Sequence, residues 1–221
     1  MKQRKTACLM HEASNRCSRH ARIQLEDESQ TFEKRCAVQI AIVAFDNFTD
    51  IDLVLHWDLL NRVHFIGGLQ DWSVRILGTE NSHRSVLGLP IPTSGLIDQV
   101  LEADGVILCS GRGTRPLIED KSYLARLKLD PSRQLIGAQC SGSLFLGALG
   151  FLQGMPVTAY PPIVKELESF GAKLVKEPLV INKNIATASS CLAGQFLSRW
   201  MIESLAGNEI AAKVMESVAP L

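Results

Sequence analysis

The chain has 221 residues, 46% of them apolar, enough to bury the core of one ordinary domain or of a domain with a tail. Lysine plus arginine and aspartate plus glutamate balance at 23 each, so no net field draws the protein to nucleic acid or to an anionic membrane. No apolar run reaches the ~18 residues of a membrane span, and the basic N-terminus lacks the apolar stretch of a secretory signal. We therefore expect a reducing, cytoplasmic setting in which the six cysteines are thiols.

Residues 1–36 are rich in charge, Ser, Gln and Asn without a sustained apolar period, and read as a flexible or loosely docked extension. Within it, Cys8, His11, Cys17 and His20 are spaced as metal ligands can be. The segment offers little core to hold such ligands, so chance clustering is the plainer reading and no metal is expected. Residues 37–221 carry the regular pattern. Val38 to Ala44 is an apolar, β-branched run suited to a buried parallel strand. Asp52 to Phe65 has helical spacing, Ser73 to Gly78 reads as a strand, and Ser85 to Ile91 as a further extended piece. Leu96 to Ala103 is a short helix and Gly105 to Cys109 a buried strand, followed by a glycine-rich loop. Arg115 to Lys128 is helical, Gln134 to Gln139 a strand, and Ser141 to Leu152 a helix. Pro162 to Phe170 is helical, Leu174 to Ala188 holds short strands, and Leu192 to Leu205 and Glu209 to Val218 are closing helices. Strands alternating with helices predict an α/β fold with a mostly parallel sheet covered on both faces.

The segment Leu135-Ile136-Gly137-Ala138-Gln139-Cys140-Ser141-Gly142-Ser143-Leu144 runs from an apolar strand into an apolar helix with almost no loop. Small residues stand two positions either side of Cys140, as a nucleophile elbow requires. That turn puts the sulfur at a helix N-terminus, where unpaired amides and the helix dipole favour thiolate, so a lowered thiol pKa is expected. The Ser141 amide faces the same point as an oxyanion donor. Cys109 ends a buried strand and Cys191 begins a late helix, and both read as inert.

The loop Ser110-Gly111-Arg112-Gly113-Thr114-Arg115 lacks the ending of a phosphate loop and any complete dinucleotide fingerprint, so no cofactor is expected. At the C-terminal edge of a parallel sheet its use is close backbone approach, with the Gly111 amide as a second oxyanion donor. Arg112 or Arg115 is a candidate for an anionic substrate group, set against the commoner solvated arginine. After the first strand, Asp50 can cap the coming helix. Asp52 lies in the first helical turn, where a carboxyl can point across to the thiol and move protons.

These stations, in this order, resemble the ThiJ/PfpI branch of the glutamine-amidotransferase-like superfamily. The motifs are Ile51-Asp52-Leu53, the Ser-Gly-Arg-Gly-Thr loop, Ala-Gln-Cys-Ser-Gly-Ser at the elbow, Gly150 to Gly154, Thr158-Ala159-Tyr160-Pro161, Phe170-Gly171-Ala172, and Asn184 to Ala188 leading into Ala193-Gly194. Ile-Asp-Leu with Cys-Ser-Gly-Ser looks most like isonitrile hydratases, which add water to an isonitrile with a cysteine and an aspartate. The resemblance implies a flavodoxin-like sheet, a homodimer, a small electrophilic substrate, Asp52 as acid partner of Cys140, and Tyr160 at the substrate site. The chain departs from the pattern in three places. Ser141 stands where protease-like members carry histidine, and Tyr160 where other relatives do. Leu55-His56 replaces the Gly-Pro pair of hydratase-like relatives. His56 shares a helix face with Asp52, either as an extra base or, more commonly, as a histidine packed at a dimer contact. The expected function is thus cysteine-dependent addition to a small electrophile. Glyoxalase-like chemistry on a 2-oxoaldehyde, a redox sensor oxidised at Cys140, and the ligand-sensing domain of a transcription regulator are the alternatives. The last is disfavoured because no DNA-binding segment is evident.

Overall fold

The computed structural model describes residues 37–219; the Cys8, His11, Cys17 and His20 array lies outside the described residues. The apolar run Val38–Val43 forms strand β1, buried along its last four residues as an interior parallel strand must be. It leads through Thr49, which occupies the N-cap position, into helix α1, Asp50–Ile66. Strand β2, Trp72–Gly78, pairs parallel to β1. Strands β3, Ser82–Arg84, and β4, Pro90–Pro92, form an antiparallel hairpin, and β5, Gly95–Leu96, extends the main sheet. A 3-10 turn, Ile97–Glu102, precedes β6, Gly105–Leu108. Helices α2, Thr114–Glu119, and α3, Lys121–Arg126, lead to β7, Leu135–Gln139. The 3-10 turn Cys140–Gly142 then runs directly into α4, Ser143–Ala148. Short strands β8, Pro156–Val157, and β9, Lys173–Leu174, flank α5, Val164–Ser169. Strands β10, Leu179–Asn182, and β11, Ile185–Ala188, make a hairpin before helices α6, Gly194–Ala206, and α7, Asn208–Glu216.

The main sheet has seven strands in the order β10-β11-β7-β6-β1-β2-β5, all parallel except β10. Helices α1, α6 and α7 pack together as one layer, and α2, α4 and α5 pack in sequence as another. The chain winds outward from β1 through β2 to β5, then returns to β6 and winds the other way through β7 to β11. The reversal falls between β1 and β6, and the carboxyl ends of strands at such a switch point form the crevice where open α/β sheets bind ligands. The flavodoxin-like, mostly parallel α/β sheet expected from the sequence is the one observed.

Three local expectations are corrected. The piece Ser85 to Ile91 is the tip of the β3–β4 hairpin: Gly88 turns with φ 94°, and Ser85 Oγ accepts from the Leu89 amide at 2.9 Å. The helix expected over Arg115 to Lys128 breaks at Asp120, whose carboxylate accepts from the Ser122 amide at 2.8 Å and the Tyr123 amide at 3.2 Å. Such a cap contributes about 1 kcal/mol, enough to restart a helix rather than continue one. The elbow helix is shorter than expected, because Gly150 takes φ 81° two residues after Ala148. Among the described residues no helix is long and apolar enough to cross a membrane.

Candidate functional site

Three strand ends converge at the switch point. Asp52 enters on the first turn of α1 after β1, Ser110 follows β6 by two residues, and Cys140 follows β7 directly. Cys140 adopts φ 52°, a left-handed conformation that costs an L-residue roughly 1–2 kcal/mol. The surroundings enforce it. A Cβ on Gly142 would lie 2.3 Å from the Leu108 carbonyl oxygen and 2.7 Å from that of Cys109, so only glycine lets the turn close on β6. Ser143 Oγ donates to the Cys140 carbonyl at 2.8 Å and holds the far side of the turn.

The cysteine sulfur of Cys140, a carboxylate oxygen of Asp52 and the sulfur of Cys191 all lie within 4.8 Å of one another. The Ser141 amide, the Ser110 hydroxyl and the Cys191 thiol face the Cys140 sulfur. The expected lowering of its pKa is corrected. Burial pushes the Cys140 thiol up, ionised Asp52 pushes it further, and the facing donors only partly offset this. The helix that begins at the elbow is too short and too enclosed to outweigh the loss of water. Asp52 is itself fully buried, and burial raises its pKa against the opposing hydrogen bonds from Ser110 and Cys191.

Asp52 is held by a network that the sequence did not announce. Its Oδ2 is hydrogen-bonded to the Ser110 hydroxyl, and its Oδ1 accepts from Gln139 Nε2 at 3.0 Å. The same Gln139 nitrogen donates to the Cys191 carbonyl at 2.6 Å. The groups facing that nitrogen, the Ser190 carbonyl among them, are all acceptors, so the Gln139 oxygen must accept, and it does so from His56 Nε2. His56 Nδ1 is then left to accept from Ser198 Oγ at 2.6 Å. Burial lowers the His56 pKa to about 4, so the ring is neutral near pH 7 and this tautomer follows from the network. The expectation of a histidine at a dimer contact is corrected: His56 is fully buried inside the fold between α1, β7 and α6. Gly194 makes room for the network, because a Cβ there would lie 2.4 Å from the Gln139 oxygen.

The remaining expected site residues are placed unevenly. Gly111 approaches backbone closely, since a Cβ would lie 2.2 Å from the Asn47 carbonyl oxygen. Its amide donates to Ser141 Oγ at 3.2 Å rather than standing open towards the sulfur. Asp50 is the first helical residue rather than the cap, and accepts from Ser85 Oγ at 2.5 Å. Arg115 pairs with Glu166 at 2.7 Å, whereas among the described residues no carboxylate lies within ion-pairing distance of the exposed Arg112. Tyr160 is exposed at the start of the turn Pro161–Ile163, and among the described residues it makes no hydrogen bond to Cys140, Asp52 or Ser110. Cys109 is fully buried, with its pKa pushed well up by desolvation. Cys191 is half-buried against Asp52, with its pKa raised to about 12 by burial and by the carboxylate. Its only sequence signal was its place shortly after the strand-forming run Asn184 to Ala188.

Residues 38–203 match the DJ-1/PfpI family. The isonitrile hydratase of Pseudomonas putida is 26% identical over 179 residues, which cover 80% of this chain and 76% of that protein. Among solved structures, a ThiJ/PfpI family protein from Pseudomonas syringae superposes with a TM-score of 0.73 at 25% identity, covering 83% of this chain and 76% of the other. DJ-1 of Schizosaccharomyces pombe superposes with a TM-score of 0.70 at 16% identity, covering 83% of this chain and all of that one, 100%.

Proposed function

The chain belongs to the DJ-1/PfpI family, and from that premise we propose that it is a cysteine-dependent enzyme that adds water to a small electrophilic carbon, an isonitrile being the named substrate class. The observation that carries this reading is the buried pair of Cys140 and Asp52 within 4.8 Å, served by neutral hydrogen-bonding groups and without a histidine at the sulfur among the described residues. A Cys–His ion pair suits acyl transfer. A thiol beside a carboxyl of raised pKa suits an addition in which a proton must be delivered to carbon. The resemblance to the Pseudomonas putida isonitrile hydratase at 26% identity supports the substrate class.

In the proposed cycle thiol and carboxyl share one proton: the Cys140 proton passes to the Asp52 carboxylate as the sulfur bonds to the terminal isonitrile carbon, and Asp52 gives that same proton to the carbon. This leaves a thioimidate and an Asp52 carboxylate. Water then attacks the same carbon; one of its protons goes to nitrogen, and the other returns to Asp52 as the carbonyl forms. The carbon–sulfur bond breaks and the N-substituted formamide leaves. Ser110, bonded to Asp52 and facing the sulfur, relays the proton between them. The Ser141 amide steadies charge at the reacting centre. Gln139 and His56 position the carboxyl. Arg112 and Tyr160, both exposed, are the candidate contacts for the substrate's outer groups. Ile51, Val54 and Trp57 leave an exposed apolar face on α1, beside a groove of about 340 Å³, as the homodimer contact.

The test is turnover of an aryl isonitrile by purified protein, with formamide formation followed directly. Turnover that disappears in Cys140→Ser supports the assignment. Absence of turnover across alkyl and aryl isonitriles, with methylglyoxal consumed instead, would overturn it.

A further inference from the structure

Two thiols meet at this site, and the hydration cycle uses one. Cys140 and Cys191 leave the carboxyl ends of adjacent parallel strands: Gln139 on β7 lies in register with Ala188 on β11. The two sulfurs already lie within 4.8 Å of each other. Gln139 clamps the arrangement, because its Nε2 donates to the carbonyls of Ser190 at 3.4 Å and Cys191 at 2.6 Å, tying the second turn to the residue before the elbow. Their exposures differ in a useful way. Cys140 is only 7% exposed, while Cys191 is half-buried and accessible from solvent. The third described thiol, Cys109, is sealed in the core at 0% exposure and offers neither partner nor access.

We infer that Cys191 is a resolving thiol for Cys140, so that a hydroperoxide converts the pair into a reversible disulfide and spares the nucleophile from over-oxidation. In the first step the Cys140 sulfur attacks one peroxide oxygen, the oxygen–oxygen bond breaks, and water leaves from hydrogen peroxide with the thiol proton. Cys140 is then a sulfenic acid, oxidised by two electrons. In the second step the Cys191 sulfur attacks the Cys140 sulfur and the sulfur–oxygen bond breaks. The Cys191 proton passes to the Asp52 carboxylate that it faces and on to the departing hydroxide, which leaves as water. A dithiol reductant restores both thiols. Without a second thiol in reach, the sulfenic acid proceeds to sulfinic acid, which ordinary thiols do not reduce. The inference rests on Cys140 being the reactive thiol, but not on isonitrile being its substrate.

The test treats the full-length reduced protein, in chelator, with a modest excess of hydrogen peroxide, blocks remaining thiols with iodoacetamide, and maps peptides without reduction. The expected result is a Cys140–Cys191 cross-linked peptide, two hydrogens lighter than its parts and lost on adding dithiothreitol. In Cys191→Ser, and in Cys191→Ala as a second form, Cys140 instead gains two oxygens irreversibly, at least roughly tenfold more than in the parent. The inference is overturned if the parent over-oxidises Cys140 as fast as both variants, or if Cys140 cross-links to another cysteine instead. Iodoacetamide labelling of Cys140 before oxidation keeps the two readings apart. Labelling without the cross-link sinks the resolving role alone, and absence of labelling sinks the nucleophile as well.

Discussion

Cys109 and Cys140 each follow the last residue of neighbouring parallel strands, β6 and β7, and both come from buried apolar runs. Cys109 turns into the hydrophobic core and is fully buried. Cys140, one strand over, takes φ 52° and brings its sulfur to Asp52 and Cys191 at the crevice. The residue type, the strand end and the burial of the strand are shared; the handedness of the next turn is not. That turn is in turn set by Gly142, which fits against the carbonyls of Leu108 and Cys109. The backbone of Cys109 is thus part of the mould for the turn that carries Cys140.

The sharpest way to break this contrast is to truncate each sulfur. Cys140→Ala should lower isonitrile hydration by roughly 10³-fold or more, whereas Cys109→Ala should leave the rate nearly intact and cost about 1 kcal/mol in urea denaturation. Loss of turnover from Cys109→Ala with the fold preserved would refute the division. Next in size, Asp52→Asn should cost about 10²–10⁴-fold in kcat. Because the Asp52 charge raises the Cys140 pKa, the same variant should move the pH midpoint of iodoacetamide labelling downwards. An unmoved or rising midpoint would separate the carboxyl from the sulfur.

Acid should weaken the fold through His56. Its folded pKa of about 4 lies below the unfolded 6.5, so the unfolded chain takes up a proton that the folded one refuses. The contribution is complete above pH 6.5 and lost as pH falls through 4, a total of roughly 3 kcal/mol. Asp52 acts with the opposite sign: its raised pKa supplies stability below 3.8 that is lost as pH rises through the folded value. Urea midpoints between neutral and acid pH should fall for the parent and flatten for His56→Asn; equal slopes would remove His56 as the cause. Gly142→Ala should destabilise by roughly 1–3 kcal/mol through overpacking and slow Cys140 labelling together, since the new Cβ meets the Leu108 carbonyl oxygen at 2.3 Å. The smallest effect belongs to Arg112→Ala. An exposed arginine without an ion pair among the described residues should change KM for a neutral isonitrile by less than about threefold, and a large rise in KM would reveal an anionic substrate instead.

Much of the fold was legible because buried parallel strands announce themselves as short β-branched runs, and β1, β2, β6 and β7 do so. The elbow was legible from its spacing of small residues around Cys140. The helix breaks were harder, because Asp120 interrupts α2 and α3 by a side-chain cap that an apolar period does not show. Around the candidate site, Cys140 and Asp52 could be named in advance, but the sequence did not show that Gln139, His56, Ser110 and Cys191 gather round them. Their positions 56, 110, 139 and 191 lie far apart in the chain. Nothing local to any of them records that a parallel register sets Gln139 beside Ala188, or that α1 lies over β7.

The sequence by itself determined the sheet, the sharp turn and the presence of a thiol in it, because strand burial and turn closure are local demands on side-chain size and shape. Tertiary structure alone decided the thiol's protonation and its company. Proton affinity depends on lost water and on charges brought within a few ångströms, and those were supplied by four separate segments meeting at one sheet edge. The helix terminus argued for a lowered thiol pKa; the enclosure around Asp52 and Cys191 raised it.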